Sequence, residues 1–173
     1  MGVHSLIPHP AAPPRGVTAI DVSVAIDAGR AVLTYRVTGD TLMVPPRVAS
    51  RRTDDLWKHS CFELFVRPEG GAGYFEFNFS PSTEWAAYRF DGYRAGMADF
   101  PLASPQVDPL ENGLRVTVDL STLPPLAWHI GLSAVIEETD GTKSYWAIAH
   151  PPEKPDFHDG ACFALQLPAA RAT

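Results

Sequence analysis

Short runs in which apolar and polar residues alternate recur along this chain, and they restrict its fold more than any other feature. Residues 20–26 read IDVSVAI, and the same period of two returns over residues 33–37, 114–120 and 130–136. This period is that of a β-strand with one buried face. The chain contains 17 prolines and 13 glycines, which favour turns over long helices. About nine such strands, with no helix of three turns, predict an all-β fold, a two-sheet antiparallel β-sandwich of jelly-roll type.

The chain length and the first residues indicate how this fold is organised. At 173 residues, of which 45% are hydrophobic, the chain fits one domain with a sizeable core. Residues 1–15 are rich in proline and show no period, so we expect an N-terminal arm. Residues 16–173 are expected to form a single β-sandwich domain.

Charge and targeting signals exclude several kinds of partner. The formal net charge of −6 argues against binding of nucleic acid or of an anionic membrane, since both need a basic surface. No stretch approaches the roughly 20 apolar residues of a membrane span, and the start lacks the pattern of a secretory signal. We therefore expect a cytoplasmic protein. Cys61 and Cys162 are then expected as free thiols, although the sequence leaves one disulfide open.

Two neighbouring strands carry one glutamate each among aromatic residues. Residues 61–66 read CFELFV and residues 74–79 read YFEFNF. Because side chains alternate between the two faces of a strand, Glu63, Glu76 and Asn78 fall on the face opposite the apolar core. The register that centres the intervening loop pairs Glu63 with Glu76, and a slip by two residues is the alternative. Like charges at this spacing need a cation, shared hydrogen bonds or a raised pKa.

The same face combines aromatic, acidic and amide side chains, which is typical of a groove with fixed polar groups for a ligand. The alternative is that arginines cover both acids, and the available ones are Arg51, Arg52, Arg89 and Arg94. Further candidate ligand-binding residues lie before the first strand, in later strands and in the long loop HPPEKPDFHD. These further candidates are Trp57, Glu137, Trp146, His150, Phe157 and His158.

Several of these candidates also have a purely structural interpretation. Trp146 is compatible with a position in the core, and Trp57 with a lid over the edge of the sandwich. His150 and His158 are compatible with hydrogen bonding within their own loop. The sequence leaves these alternatives open.

Three segments of the chain together resemble a known family. DDLWKHSCFELFV, YFEFNFSPSTEWAAYRFDGYRAGM and SYWAIAHPPEKPDFHD are similar to DOMON-like proteins related to family 9 carbohydrate-binding modules. The resemblance spans roughly residues 30–168. It implies a β-sandwich that holds a carbohydrate or sugar-like small molecule on one concave sheet, without catalysing a reaction. The expected partner is therefore a small-molecule or sugar ligand, and the sequence does not identify a protein partner.

The resemblance also implies roles for individual residues. Trp57 resembles the tryptophan that stacks on the sugar, and Glu76 and Asn78 resemble the polar residues that bind its hydroxyl groups. The second aromatic wall would come from either Trp146 or Phe157.

Other functions remain open at this point. DOMON relatives include haem proteins with methionine or histidine axial ligands, and Met97 with one of the six histidines would serve. Glu63 and Glu76 at about 5 Å would resemble the acid pair of a retaining glycosidase. An aromatic groove would also dock a peptide or a second subunit.

Cofactor motifs are missing from the sequence. It contains no P-loop, GxGxxG, HExxH or paired CxxC motif. Secreted relatives often hold calcium, but no loop here has the dense Asp/Asn spacing of a calcium site. The sequence therefore predicts no cofactor, with haem and calcium as open alternatives.

Overall fold

The computed structural model describes residues 2–169, and 49% of the chain lies in β-strands. In the described range the helical segments are two 3-10 helices, Leu56–Lys58 and Gly160–Cys162, and neither is long and apolar enough to cross a membrane. The strands of residues 2–169 are β1 Gly2–Pro8, β2 Ala19–Asp27, β3 Arg30–Thr38, β4 Cys61–Pro68, β5 Tyr74–Phe79, β6 Trp85–Phe90, β7 Ala98–Asp99, β8 Gln106–Leu110, β9 Gly113–Asp119, β10 Trp128–Glu137, β11 Lys143–Ala147 and β12 Leu165–Leu167.

Eleven strands follow one another in a single hydrogen-bonded order, β7-β6-β5-β4-β10-β11-β1-β2-β3-β9-β8, and β12 pairs with β10. The strands pair antiparallel throughout this order, and the sheet curls into a half-barrel. β1 lies in the middle. Its residues 2–6 pair with β2, whereas Ile7 and Pro8 pair with β11. β1 therefore joins a half made of β2, β3, β9 and β8 to a half made of β11, β10, β4, β5, β6 and β7.

The prediction of an all-β antiparallel fold is confirmed, and the division into two separate sheets stays a prediction. The prediction of an N-terminal arm is wrong for residues 2–8, because these residues form β1 inside the sheet. Leu6 is the one residue of this strand that is buried. Backbone hydrogen bonds to a neighbouring strand on each side hold β1 in place. Such bonds leave no periodic pattern in the sequence.

The main core lies on one face of the curled sheet, and the period of two predicts its members. Ile20 in β2, Leu33 in β3 and Leu64 in β4 are fully buried there. One polar contact joins the two halves across this core. The hydroxyl of Tyr35 in β3 donates a hydrogen bond of 2.7 Å to the backbone carbonyl of Glu63 in β4.

The opposite face of β4, β5, β6 and β10 is also buried, under a second apolar cluster. This cluster includes Phe65, Tyr74, Phe90 and Val135 together with Phe157 from the loop after β11. The strands of this half are therefore covered on both faces, which explains their nearly continuous apolar sequence. Cys61 and Cys162 lie in this same cluster as free thiols.

Candidate functional site

A cavity of about 750 Å³ opens beside the second apolar cluster. Its floor is the outer face of β4 and β5, and its walls come from β6, β10, β11 and the loops around residues 54–57, 94–99 and 155–158. We call Glu63, Glu76 and Asn78 the floor, and the aromatic side chains that enclose it the walls. The walls are Trp57, Tyr88, Phe90, Tyr145 and Phe157.

The three floor residues lie on one face, as the period of two predicts, but the register differs from the predicted one. Glu63 pairs with Asn78, and Glu76 pairs with Phe65. The predicted pairing of Glu63 with Glu76 is therefore wrong by two residues. The loop between β4 and β5 spans residues 69–73, with Gly70 at a positive φ of 89°. The observed register centres the hairpin between residues 70 and 71, nearer the middle of this loop than the predicted register, which centres it between residues 69 and 70. The two acids are consequently diagonal neighbours.

The floor side chains are almost completely buried, with exposures of 3% for Glu63, 6% for Glu76 and 2% for Asn78. The Asn78 amide nitrogen donates to Glu76 Oε1 at 2.9 Å, and the Ser133 hydroxyl donates to Glu63 Oε2 at 3.4 Å. The Asn78 Oδ1 atom has no hydrogen-bond partner within residues 2–169. A buried acceptor without a donor is costly, and a site that waits for a ligand supplies one explanation.

Both floor carboxyl groups hold their protons more firmly than ordinary glutamates. Burial raises the pKa of Glu76 to about 7, although the hydrogen bond from Asn78 and the charge on Arg94 oppose the rise. Burial raises the pKa of Glu63 well above its usual value, and the nearby Glu76 adds to this effect. Near pH 7 the protonated and ionised forms of Glu76 are therefore comparably populated, and a group bound beside it can shift this balance.

His158 closes one side of the floor. Its Nδ1 lies 2.8 Å from the Tyr74 hydroxyl, which also accepts a hydrogen bond from the backbone N–H of Arg94. With the Tyr74 hydroxyl as donor, the imidazole proton is on Nε2, which faces Glu76 Oε2 at 3.6 Å. Burial, with the charge on Arg94, lowers the pKa of His158 to about 4. His158 is therefore neutral near pH 7, and its Nε2 faces Glu76 at a distance longer than a hydrogen bond.

The arginines do not cover the acids of the floor. Arg94 lines the cavity, but its guanidinium donates to Asp156 at 2.7 Å. Asp156 also accepts from the Tyr93 hydroxyl and, at 3.1 Å, from the backbone N–H of His158. This ion pair ties the loop before β7 to the loop after β11 and so holds the wall of the cavity together. Arg51, Arg52 and Arg89 bind Glu84, backbone carbonyl groups and Asp91, away from the floor.

The walls present aromatic rings at different depths. Trp57 is the outermost, with half of its surface exposed. Tyr88 lies deeper and donates to Asp54 Oδ1 at 2.5 Å. Tyr145 and Phe157 meet edge to face, with ring centroids 6.2 Å apart, on the opposite side. The cavity thus has an accessible ring at its mouth and several more rings around a polar floor.

Six of the nine predicted binding residues line this cavity, and three do not. Trp57, Glu63, Glu76, Asn78, Phe157 and His158 come together there.

Trp146 does not line the cavity, because it faces the main core at 2% exposure, where its indole donates to Ser144. Its neighbour Tyr145 points into the cavity instead. His150 is half-buried and bonds to the Ile7 carbonyl at 2.7 Å. Glu137 lies at the end of β10, where its carboxylate contacts His59 at 2.7 Å.

Several residues that line the site were not predicted from the sequence. Tyr88, Arg94, Asp99 and Tyr145 line the cavity without a predicted role as ligand contacts. Tyr88 shares a strand face with Ala86 and Phe90, both buried, so parity alone would have placed it there. Tyr145 lies in β11 on the face opposite Trp146, whereas Arg94 and Asp99 reach the cavity through the conformation of the segment after β6, for which the sequence carries no periodic signal.

The cavity does not fit a haem with histidine ligation. Met97 and His158 both line it, but both ring nitrogens of His158 face protein groups, Tyr74 on one side and Glu76 on the other. No group of three or more His, Cys, Asp or Glu residues within residues 2–169 is arranged to hold a metal ion.

Comparison with solved structures shows what the fold resembles. No protein-family model matches the chain, and no curated protein matches its sequence. Among solved structures, the chain is similar to a protein of Bacteroides uniformis named a "putative carbohydrate-binding protein". The TM-score is 0.70 with 15% sequence identity, over 94% of this chain and 84% of the relative. At this identity the likeness concerns the fold.

Proposed function

We propose that the protein binds a carbohydrate or sugar-like small molecule in the cavity and does not transform it. The observation that carries this proposal is the buried Asn78 Oδ1 without a donor, on a floor surrounded by aromatic walls. A cavity of about 750 Å³ lies within the range that small-molecule sites occupy. The name of the Bacteroides uniformis relative points the same way.

The arrangement of groups suits a sugar ring. Aromatic side chains pack against the apolar face of a pyranose, and Trp57 at the mouth and Tyr145 or Phe157 deeper inside supply such faces. The hydroxyl groups of a sugar both donate and accept, so they match Asn78 Oδ1 and the carboxyl groups of Glu63 and Glu76. Membership of the DOMON-like family, a two-sheet sandwich and a cytoplasmic location accompany this proposal as predictions.

A glycosidase mechanism is less well supported than binding. The two glutamates project from the same face of one hairpin, whereas a glycosidase places its acids on opposite sides of the scissile bond. Burial also raises the pKa of both groups, which disfavours the ionised carboxylate that a nucleophile requires. Hydrolysis of aryl glycosides that is lost in Glu63→Gln would favour the enzyme instead.

The test is titration calorimetry with a panel of neutral, amino and acidic mono- and disaccharides. We expect saturable binding to wild type, and at least a tenfold loss of affinity in Trp57→Ala, since truncating a tryptophan that stacks on the ligand commonly costs more than about 1.4 kcal/mol. Leu126→Ala is the matched control, because Leu126 is another exposed apolar side chain, at 48%, outside the cavity. Absence of binding across the panel, or unchanged affinity in Trp57→Ala, would refute the proposal. A Soret band in the purified protein would favour haem instead.

A further inference from the structure

We propose that the cavity selects a sugar-like ligand that carries a protonated amino group, an amino sugar, over neutral and acidic sugars. This inference rests on the proposed function and names the class of ligand for the same site. Three observations carry it: the charges around the mouth, the hydrogen-bonding groups on the floor, and the aromatic walls.

The charges that line the cavity are predominantly negative. Within residues 2–169, Arg94 is the one arginine or lysine that lines it, and Asp156 neutralises this charge at 2.7 Å. Asp55, also at the mouth, is paired with Lys58 at 2.8 Å. Asp54 and Asp99 remain, and neither contacts a basic side chain in the described range. A ligand that enters here meets two uncompensated carboxylates.

These two carboxylates flank one wall residue. Asp54 accepts the hydrogen bond of the Tyr88 hydroxyl, and Asp99 is the cross-strand partner of Tyr88 between β6 and β7. Burial raises the pKa of Tyr88, and so do the hydrogen bond to Asp54 and the charges of Asp54, Glu76 and Asp99. The negative potential is therefore concentrated at the Tyr88 ring, where a cation would also gain from the π-face.

The side chains of Asn78 and Ser133 already use their donors within the protein, and Asn78 Oδ1 is a buried acceptor that has no donor in the described range. The amide N–H of Asn78 and the hydroxyl of Ser133 donate to Glu76 and Glu63, and His158 Nε2 faces Glu76. Asn78 Oδ1 stays without a donor. When Glu76 is ionised, its carboxylate and Asn78 Oδ1 are both acceptors, and an ammonium group, which brings three donors and no acceptor, complements this pair.

An acidic sugar would be disfavoured by the same features. Its carboxylate would need a cation or free N–H donors, and the guanidinium of Arg94 is paired with Asp156. It would also meet Asp54 and Asp99 at the mouth. An ammonium beside Glu76 favours the ionised carboxylate, so the buried acid of the floor becomes its counter-ion on binding.

The test compares four β-1,4-linked disaccharides in calorimetry at pH 6, where amino groups are protonated. They are cellobiose, the glucosamine dimer, its N-acetylated form and cellobiouronic acid. We expect the glucosamine dimer to bind roughly tenfold more tightly than cellobiose, since a partly exposed ion pair and a cation–π contact each add a modest factor. The N-acetylated dimer should lose this advantage, and the uronic acid should bind most weakly.

Two variants assign the preference to the proposed groups. Asp99→Asn and Glu76→Gln should each lower the ratio between the affinities for the glucosamine dimer and for cellobiose by roughly threefold or more. Asp108→Asn is the matched control, because Asp99 and Asp108 lie on the two edge strands, β7 and β8, and Asp108 is far from the cavity lining. It should leave the ratio unchanged.

The possible failures are distinct. Cellobiose binding as tightly as the glucosamine dimer, or a preference that both variants retain, would overturn the amino-sugar inference and leave sugar binding intact. Failure of all four disaccharides to bind, together with the rest of the carbohydrate panel, would overturn the proposed function as well.

Discussion

Because Glu76 is buried, its titration should lower the free energy of unfolding as the pH rises, which is opposite to the usual effect of an acidic group in a folded protein. Glu76 has a pKa of about 7 in the folded chain, against 4.5 for an ordinary glutamate. A carboxyl group whose pKa is raised on folding stabilises the fold in its protonated form. That contribution is fully present below about pH 4.5 and is lost as the pH rises through about 7. Each unit of difference corresponds to about 1.36 kcal/mol, so the complete loss is about 3 kcal/mol.

The substitution Glu76→Gln removes the titration and keeps the shape. The Gln carbonyl can accept the hydrogen bond that Asn78 donates to Glu76 Oε1. We therefore expect the variant to gain stability relative to wild type by about 2 kcal/mol between pH 5.5 and pH 8.5. For a chain of this length, that corresponds to roughly 4–8 °C in Tm. His158 titrates below this window, with a pKa of about 4, so it contributes little to the difference.

The measurement is urea denaturation followed by tryptophan fluorescence at several pH values, with the slope of the transition as a check on two-state behaviour. Glu138→Gln is the comparison variant with the opposite sign. Burial alone would raise the pKa of Glu138, but hydrogen bonds from the N–H groups of Arg15, Gly16 and Val17 and from the Thr41 hydroxyl lower it. Glu138→Gln should therefore destabilise the protein across the whole window. A Glu76→Gln variant whose advantage does not grow with pH would refute the reasoning.

Two further predictions concern packing. Tyr35→Phe removes the hydroxyl that binds the Glu63 carbonyl across the core and should cost about 1 kcal/mol of unfolding free energy. Tyr145→Phe, whose hydroxyl makes no hydrogen bond in the described range, should cost less in the same urea experiment. Gly131→Ala would place its Cβ 2.9 Å from Phe163 Cδ1. We expect it to lower the stability by about 1–3 kcal/mol, and an unchanged denaturation midpoint would contradict this packing.

Side-chain parity is the part of the site that could be predicted from the sequence. Strict alternation places Glu63, Glu76 and Asn78 on one face whatever the register, because a slip by two residues preserves faces. Register itself depends on the loop, and the conformation of Gly70 is not encoded in the alternation. For that reason the predicted face of these three residues is confirmed, whereas the predicted pairing of Glu63 with Glu76 is wrong.

The alternation of side chains does not identify the core face of a strand when both of its faces are buried. In β11, Trp146 faces the main core and Tyr145 faces the cavity. Both are aromatic, so the sequence could separate the two faces but could not say which of them is the core. The same ambiguity does not arise in β2, whose outer face is polar. Loop residues such as Arg94 and Asp156 reach the cavity through tertiary contacts alone.

The position of β1 has a consequence for the folding reaction. Ile7 pairs with Ala147, at the far end of the described chain, while Gly2 to Leu6 pair with the strand that follows next. The two halves can each form hairpins early, since β2–β3 and β4–β5 are joined by short turns. Closure of the half-barrel must then wait for a contact between residues 140 positions apart. Such long-range pairing slows folding, and until it forms β1 and β11 both expose open edges that invite association between chains.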